Sequence, residues 1–219
     1  MMFFDTALTT NDLIFLARGA GMTLIVTAIS VFFGTVMGIA FGILRHQIGP
    51  WWAAPLTFVL DIFRSIPLLI QLVLANAFVT TVLGWRISGF TVACAVLSLY
   101  TSAYCAEIVR GGIEAVPPTL RRAARSLGLT WRQDMTSVTL PLAARIALPS
   151  WIGLALGVMK DSALVYVVQV VELLKSAQIL ITRLQEPLFL LMICGLFYFL
   201  ISFPIARFGG YLERKWSND

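Results

Sequence analysis

Charged residues divide the chain into long apolar runs. None falls between Arg18 and Arg45, Arg64 and Arg86, Arg86 and Glu107, or Glu186 and Arg207. Each run reaches the roughly 20 residues a helix needs to cross a bilayer. A further run, from about Pro149 to Val171, is apolar except for Lys160 and Asp161 in its middle, and it reads as a span carrying a buried polar step. The pattern therefore predicts an all-α integral membrane protein of five transmembrane helices. In the first, Gly34, Gly38 and Gly42 recur every four positions on one face, where another backbone can approach closely, inside one subunit or between two. In the second, Asp61 and Arg64 are helical neighbours, and Pro67 removes a backbone bond one turn later. A local ion pair near the surface and a bend that shapes a pathway both fit.

Much of the charge sits between the third and fourth spans, in TLRRAARSLGLTWRQDMTSVTLP, residues Thr119 to Pro141. Pro117 and Pro118 suit a helix start, and Leu120, Ala123, Ala124 and Leu127 fall at i, i+3, i+4 and i+7, one apolar face. Arg121, Arg122 and Arg125 point elsewhere, at the rim. Gly128 is the expected stop. Thr130 with Gln133 reads as a capping box opening a second short helix, with Trp131, Met135 and Val138 along one side until Pro141 ends it. Two basic amphipathic helices can lie on an anionic leaflet. A face centred on Ala123 and Ala124 buries little in lipid, however, and small residues flanked by leucines fit a protein groove better.

With 59% hydrophobic and 12% charged residues, the chain is too apolar for a water-soluble domain of 219 residues. The first residues lack a basic start, so no removable signal peptide is expected and the first helix stays in the mature chain. Placing the N-terminus outside puts Arg45, Arg64, Arg110, Arg121, Arg122, Arg125, Arg132, Arg145, Arg207, Arg214 and Lys215 inside. Only Arg18, Arg86, Lys175 and Arg183 then lie outside, and the C-terminus is cytoplasmic. The net charge of +5 follows from that topology and calls for no nucleic acid. His46 is the sole histidine, and Cys94, Cys105 and Cys194 are scattered singly in predicted helices as packing residues. No catalytic residue, metal site or phosphate loop is expected in this chain.

The same charged stretch resembles the signature of bacterial ABC importer permeases: E-A-A, three residues, G, nine residues, I, one residue, L-P. Arg122, Ala123, Ala124, Gly128, Val138, Leu140 and Pro141 occupy those places without a gap. FRSIPLLIQL (Phe63 to Leu72), AEIVRGGIEAVP (Ala106 to Pro117) and LPLAARIALPSWIGLALGVMKDSALVYV (Leu140 to Val167) resemble the polar amino-acid branch. Two places depart: Arg122 stands where the signature has glutamate, and the family's KDTSL reads Lys160, Asp161, Ser162, Ala163, Leu164. The resemblance implies a type I importer permease fold with two short cytoplasmic coupling helices between the third and fourth spans. It divides the chain into an extracytoplasmic segment (1–18), a permease domain (19–213) with a coupling loop (110–145), and a cytoplasmic tail (214–219).

What the resemblance implies for function is a subunit of the bacterial inner membrane with no ATPase site of its own. A cassette ATPase dimer, carrying ATP and Mg, grips the signature helices of two permeases, identical or homologous, and an extracytoplasmic binding protein delivers a polar amino acid, with acidic ones the nearest match. Membrane lipid surrounds the assembly. The coupling residues are Leu120, Arg122, Ala123, Ala124, Leu127, Gly128 and Trp131. For the substrate pathway the candidates are ionisable or polar groups at membrane depth: Lys160, Asp161 and Ser162 in the fourth span, and Glu107, Ser98 and Thr101 in the third. Lys160 and Asp161 could equally hold the bundle through interhelical contacts, and a hydroxyl at Ser98 or Thr101 can bond back to its own helix. A stand-alone secondary amino-acid transporter or channel is the rival reading; internal repeats, its expected mark, are not evident.

Overall fold

The computed structural model describes residues 8–217, and every regular element among them is helical. Four helical runs are long and apolar enough to cross a membrane: Thr10–Gln47, Gly89–Glu114, Trp131–Val168 and Pro187–Lys215. A bent pair, Trp51–Ser65 with Leu68–Val82, brings the number to five when its two halves count as one span.

The helix α1 (Thr10–Gln47) lies along α4 (Gly89–Glu114), the most extensive helix pairing in the molecule. The glycine stripe makes this approach possible. A Cβ at Gly34 would sit 2.9 Å from the Ser98 carbonyl oxygen, one at Gly38 2.8 Å from Cys105 Sγ, and one at Gly42 2.8 Å from the Ala106 carbonyl. The stripe is thus a contact inside one subunit. Around it, Val26, Leu72, Leu97, Val158 and Val165 form the main core, and the three cysteines are buried and free.

The expected second span is broken in two. The helices α2 (Gly49–Ser65) and α3 (Leu68–Ala77, continued by a π-turn at Phe78–Val82) meet at 104°. Pro67 has no N–H for the Phe63 carbonyl, so the helix cannot continue straight. Gln71, nearly buried, repairs the loss: its Nε2 donates to the carbonyls of Phe63 and Ile66, both at 2.8 Å. The Asp61–Arg64 ion pair forms as well, at 3.3 Å.

The region after α4 corrects two expectations. After α5 (Pro118–Ser126), the short α6 (Trp131–Asp134) does not stop at Pro141. It runs through a π-turn (Met135–Thr139) into α7 (Leu140–Asp161) and a 3-10 turn (Ser162–Val168). Pro141 directly follows the π-turn, in which Leu140 N–H bonds to the Met135 carbonyl, a local change in the bonding ladder that lets the helix continue past a residue without an N–H. The helical run that carries the fourth span therefore begins at Trp131, well before Pro149, and Lys160 and Asp161 close its α-helical part instead of lying at its middle.

Residues Leu173–Leu184 form α8, an element the hydrophobic pattern does not announce; twelve residues are too short to span. Fully buried Glu172 caps it, accepting the backbone N–H groups of Leu174 and Lys175 at 2.7 Å. Burial pushes this carboxyl up from its ordinary pKa, and those two bonds oppose the shift. An Arg183–Asp12 ion pair and a 3.2 Å bond from Leu173 N–H to Thr23 Oγ1 fasten α8 to α1. Finally, α9 (Pro187–Ser217) exposes Leu191, Leu196, Phe199 and Phe203 along its length. The expected boundary between residues 18 and 19 falls inside α1, and the tail expected from 214 continues α9 as far as Ser217. Residues 1–7 and 218–219 of the expected terminal segments lie outside the described residues.

Candidate functional site

The charged stretch folds into a fixed elbow. Pro118 opens α5, and Gly128 ends it at φ +84°, a left-handed conformation that favours glycine. Leu129 N–H bonds to the Ala124 carbonyl at 3.2 Å and Gly128 N–H to the Arg125 carbonyl at 2.9 Å, the two closures of a Schellman motif. The capping box then starts α6: Thr130 N–H donates to Gln133 Oε1 at 2.9 Å, and Gln133 N–H to Thr130 Oγ1 at 3.4 Å. The expected helix, turn, helix is present, but its second helix is the first turn of the long run into α7.

The apolar face divides in a way its periodicity does not reveal. Leu120, Ala123 and Leu127 are exposed, Leu127 to 81%, and Trp131 continues their ridge beyond the elbow. Ala124, expected in the same contact patch, is 5% exposed and faces inward, packed within its own chain. Arg121 is likewise no rim residue. Its Nε lies 3.7 Å from Oδ2 of Asp134, a carboxylate with no exposure that also accepts the Thr139 hydroxyl at 3.2 Å. This pair ties α5 to α6 beneath the ridge. Arg122 and Arg125 are exposed as expected. The sequence carried a signal for Asp134, since it is the lone acid among Arg121, Arg122, Arg125 and Arg132.

Glu107, expected in a pathway, gathers three arginines toward the C-terminal end of α4. Its carboxylate accepts Arg45 of α1 at 3.1 Å, Arg64 of α2 at 3.3 Å, and Arg110 of α4 itself. Asp61 and Glu114 complete the cluster through Arg64 and Arg110. Three helices are thus held by one carboxyl, and Arg45 is a participant that its place at a helix end did not single out.

Polar groups along α4 sort into two faces. Ser98 and Thr101 are buried against α1 and bond back to the carbonyls of Cys94 and Leu97 at 2.6 and 2.7 Å. Ser162 is buried and bonds to the Met159 carbonyl at 2.7 Å. All three hydroxyls are therefore committed inside the bundle. On another face the rings of Tyr100 and Tyr104 meet at a tilt of 53°, their centroids 4.8 Å apart. Asp161 interacts with the Tyr100 hydroxyl, and the Arg64 guanidinium lies 5.8 Å from the Tyr104 ring centre. Half-buried Asp161 and the two tyrosines thus lead from the end of α7 to the arginine cluster, with exposed Lys160 at the outset. Lys160 forms no ion pair among the described residues.

Residues 30–218 match the family described as binding-protein-dependent transport system inner membrane component. The probable amino-acid ABC transporter permease protein YckA of Bacillus subtilis is 32% identical over 98% of this chain and 95% of its own. The arginine transport system permease protein ArtQ of the same organism is 29% identical over the whole of both chains. A crystal structure of an amino acid ABC transporter superposes with a TM-score of 0.89 at 28% identity, covering 98% of this chain and all of the other. With an elbow at the signature positions and this match over nearly its full length, the chain belongs to the inner-membrane components of binding-protein-dependent transport systems, in the company of amino-acid ABC transporter permeases.

Proposed function

We propose that this chain is the transmembrane subunit of an ATP-driven importer that moves a polar amino acid, glutamate or aspartate first, across a bacterial inner membrane. The N-terminus is outside, and the elbow and C-terminus are cytoplasmic, the arrangement favoured by the arginine-rich elbow. One observation carries the reading: a ridge of Leu120, Ala123 and Leu127, with Trp131 beside it, stands exposed on a basic helix that is rigidly braced from behind. Burying a leucine of that kind contributes about 1.5–3 kcal/mol, so the ridge favours a protein groove over water.

The partner with that groove is a cassette ATPase dimer, which supplies ATP and Mg; a second permease, a copy or a homologue, completes the pathway, and an extracytoplasmic binding protein delivers the substrate. Closing of the ATPases moves the elbow, and the unbroken run from Trp131 to Val168 carries the movement over about 55 Å of helix at 1.5 Å per residue. ATP shifts the equilibrium between inward and outward access only by its differential affinity for the two states. Lys160 answers a substrate carboxylate, and Asp161, beside Tyr100, suits the ammonium group.

Proteoliposomes containing the permease, its ATPase and its binding protein test this directly. Glutamate or aspartate uptake requires ATP inside, and Lys160→Met lowers uptake while assembly and basal ATP hydrolysis persist. Preferred uptake of arginine overturns the substrate assignment. Uptake without the ATPase overturns the importer reading, and loss of the Lys160→Met subunit from the membrane makes Lys160 a structural residue.

A further inference from the structure

Between α1, α4 and α7 runs a groove of about 450 Å³ that the transport reading leaves unused. Its floor is Ile108 and Val109 of α4, and its walls include Ile39 of α1 and Ala144 and Leu148 of α7. At the inner end, Trp151 Nε1 donates to Thr35 Oγ1 at 2.9 Å, pinning α7 to α1 and satisfying the polar groups that border the cavity. The other end, past Ile43, Ile113 and Leu140, opens toward the elbow.

From the structure we infer that this groove holds one acyl chain of an anionic phospholipid from the leaflet on the elbow side. Three features select that occupant. The lining runs from Thr35 to Ile43 and from Leu140 to Trp151, about 12 and 17 Å at 1.5 Å per residue. One leaflet of a roughly 30 Å hydrocarbon core is about 15 Å deep, so the groove extends from the headgroups to the bilayer midplane. Apolar walls open to lipid do not hold water, and an empty groove forfeits its dispersion contacts, so a hydrocarbon chain fills it. Arg145, exposed and next in the chain to the lining residue Ala144, forms no ion pair among the described residues and meets a headgroup phosphate by extending its stem toward the interface. The leaflet assignment rests on the proposed orientation; the chain site itself does not.

The test uses the intact permease–ATPase complex in nanodiscs of phosphatidylcholine and phosphatidylglycerol, with a diazirine in the phosphatidylglycerol tail, and maps the photoproducts by mass spectrometry. Labelling concentrates on Ile39, Ile108 and Leu148 over Leu196 and Phe199 of α9, and Ala144→Trp, which fills the groove from an exposed position, abolishes that excess. Arg145→Gln lowers the preference for phosphatidylglycerol over a phosphatidylcholine probe about fivefold, the contribution of one basic residue near an anionic surface. Equal labelling of groove and α9 overturns the inference, as does labelling unchanged by Ala144→Trp. A disulfide between Ala144→Cys residues of two copies overturns it too, since the groove then faces a second permease. Orientation is read separately, from the side on which an exposed elbow cysteine reacts with an impermeant reagent.

Discussion

At the scale of single residues, one helical step separates an exposed position from a covered one. Ala123 is exposed on α5, whereas Ala124, its neighbour, is covered by its own chain. A glutamate at 124 must carry an unpaired charge into the elbow at a cost of several kcal/mol. We predict that Ala124→Glu lowers the thermal stability of the isolated permease, while Ala123→Glu leaves it within about 0.5 kcal/mol of wild type, as surface changes usually do. Ala123→Glu instead weakens copurification with the ATPase. Equal melting of the two variants in detergent would show that the elbow does not enclose residue 124. Both alanines lie in the period-3.6 apolar pattern, which finds the face but not which flank the following helix covers. That flank is set by Arg121 reaching Asp134, a tertiary contact that spacing alone does not encode.

Among the elements, the broken second span repays attention because its repair is local and testable. Pro67 leaves the Phe63 carbonyl without its helical donor, and the Gln71 amide replaces it while also serving Ile66. Gln71→Leu keeps the volume and removes both bonds, leaving two carbonyls unsatisfied at a cost of about 1–3 kcal/mol each when buried. The expected outcome is a drop in unfolding midpoint that Gln71→Asn, a shorter amide, does not fully reverse. An unchanged midpoint for Gln71→Leu would mean that water or lipid headgroups reach the break. The proline marked a bend in the sequence, but not its 104° size or the glutamine that makes it tolerable. Three apolar runs, those of α1, α4 and α9, announced their helices because a bilayer demands length and apolarity together. The α8 segment escaped notice because it is short and held by buried Glu172 at its own N-cap and by Asp12, a partner near the other end of the chain. Among the pathway candidates, Lys160 is exposed and Asp161 half-buried, whereas Ser98, Thr101 and Ser162 bond inward; a sequence gives the hydroxyl but not its direction.

For the whole molecule, the parts form a chain of rigid connections. The ridge stands on α5, the Schellman closure and the Arg121–Asp134 pair fix α5 to α6, and α6 continues into α7 up to Lys160 and Asp161. Beside it, Glu107 ties α1, α2 and α4 through three arginines. The central claim is that an ATPase grips this molecule at the ridge, and Leu127, 81% exposed, is where it is most exposed to test. The direct measurement is the dissociation constant of the ATPase subunit from permease-loaded nanodiscs, for wild type, Leu127→Ala and a lipid-face control, Leu191→Ala. Truncating a leucine buried in the complex removes about 1.5–3 kcal/mol, so Leu127→Ala should weaken binding about tenfold or more while Leu191→Ala leaves it unchanged. Binding of Leu127→Ala as tight as wild type, with the control also unchanged, would contradict the account.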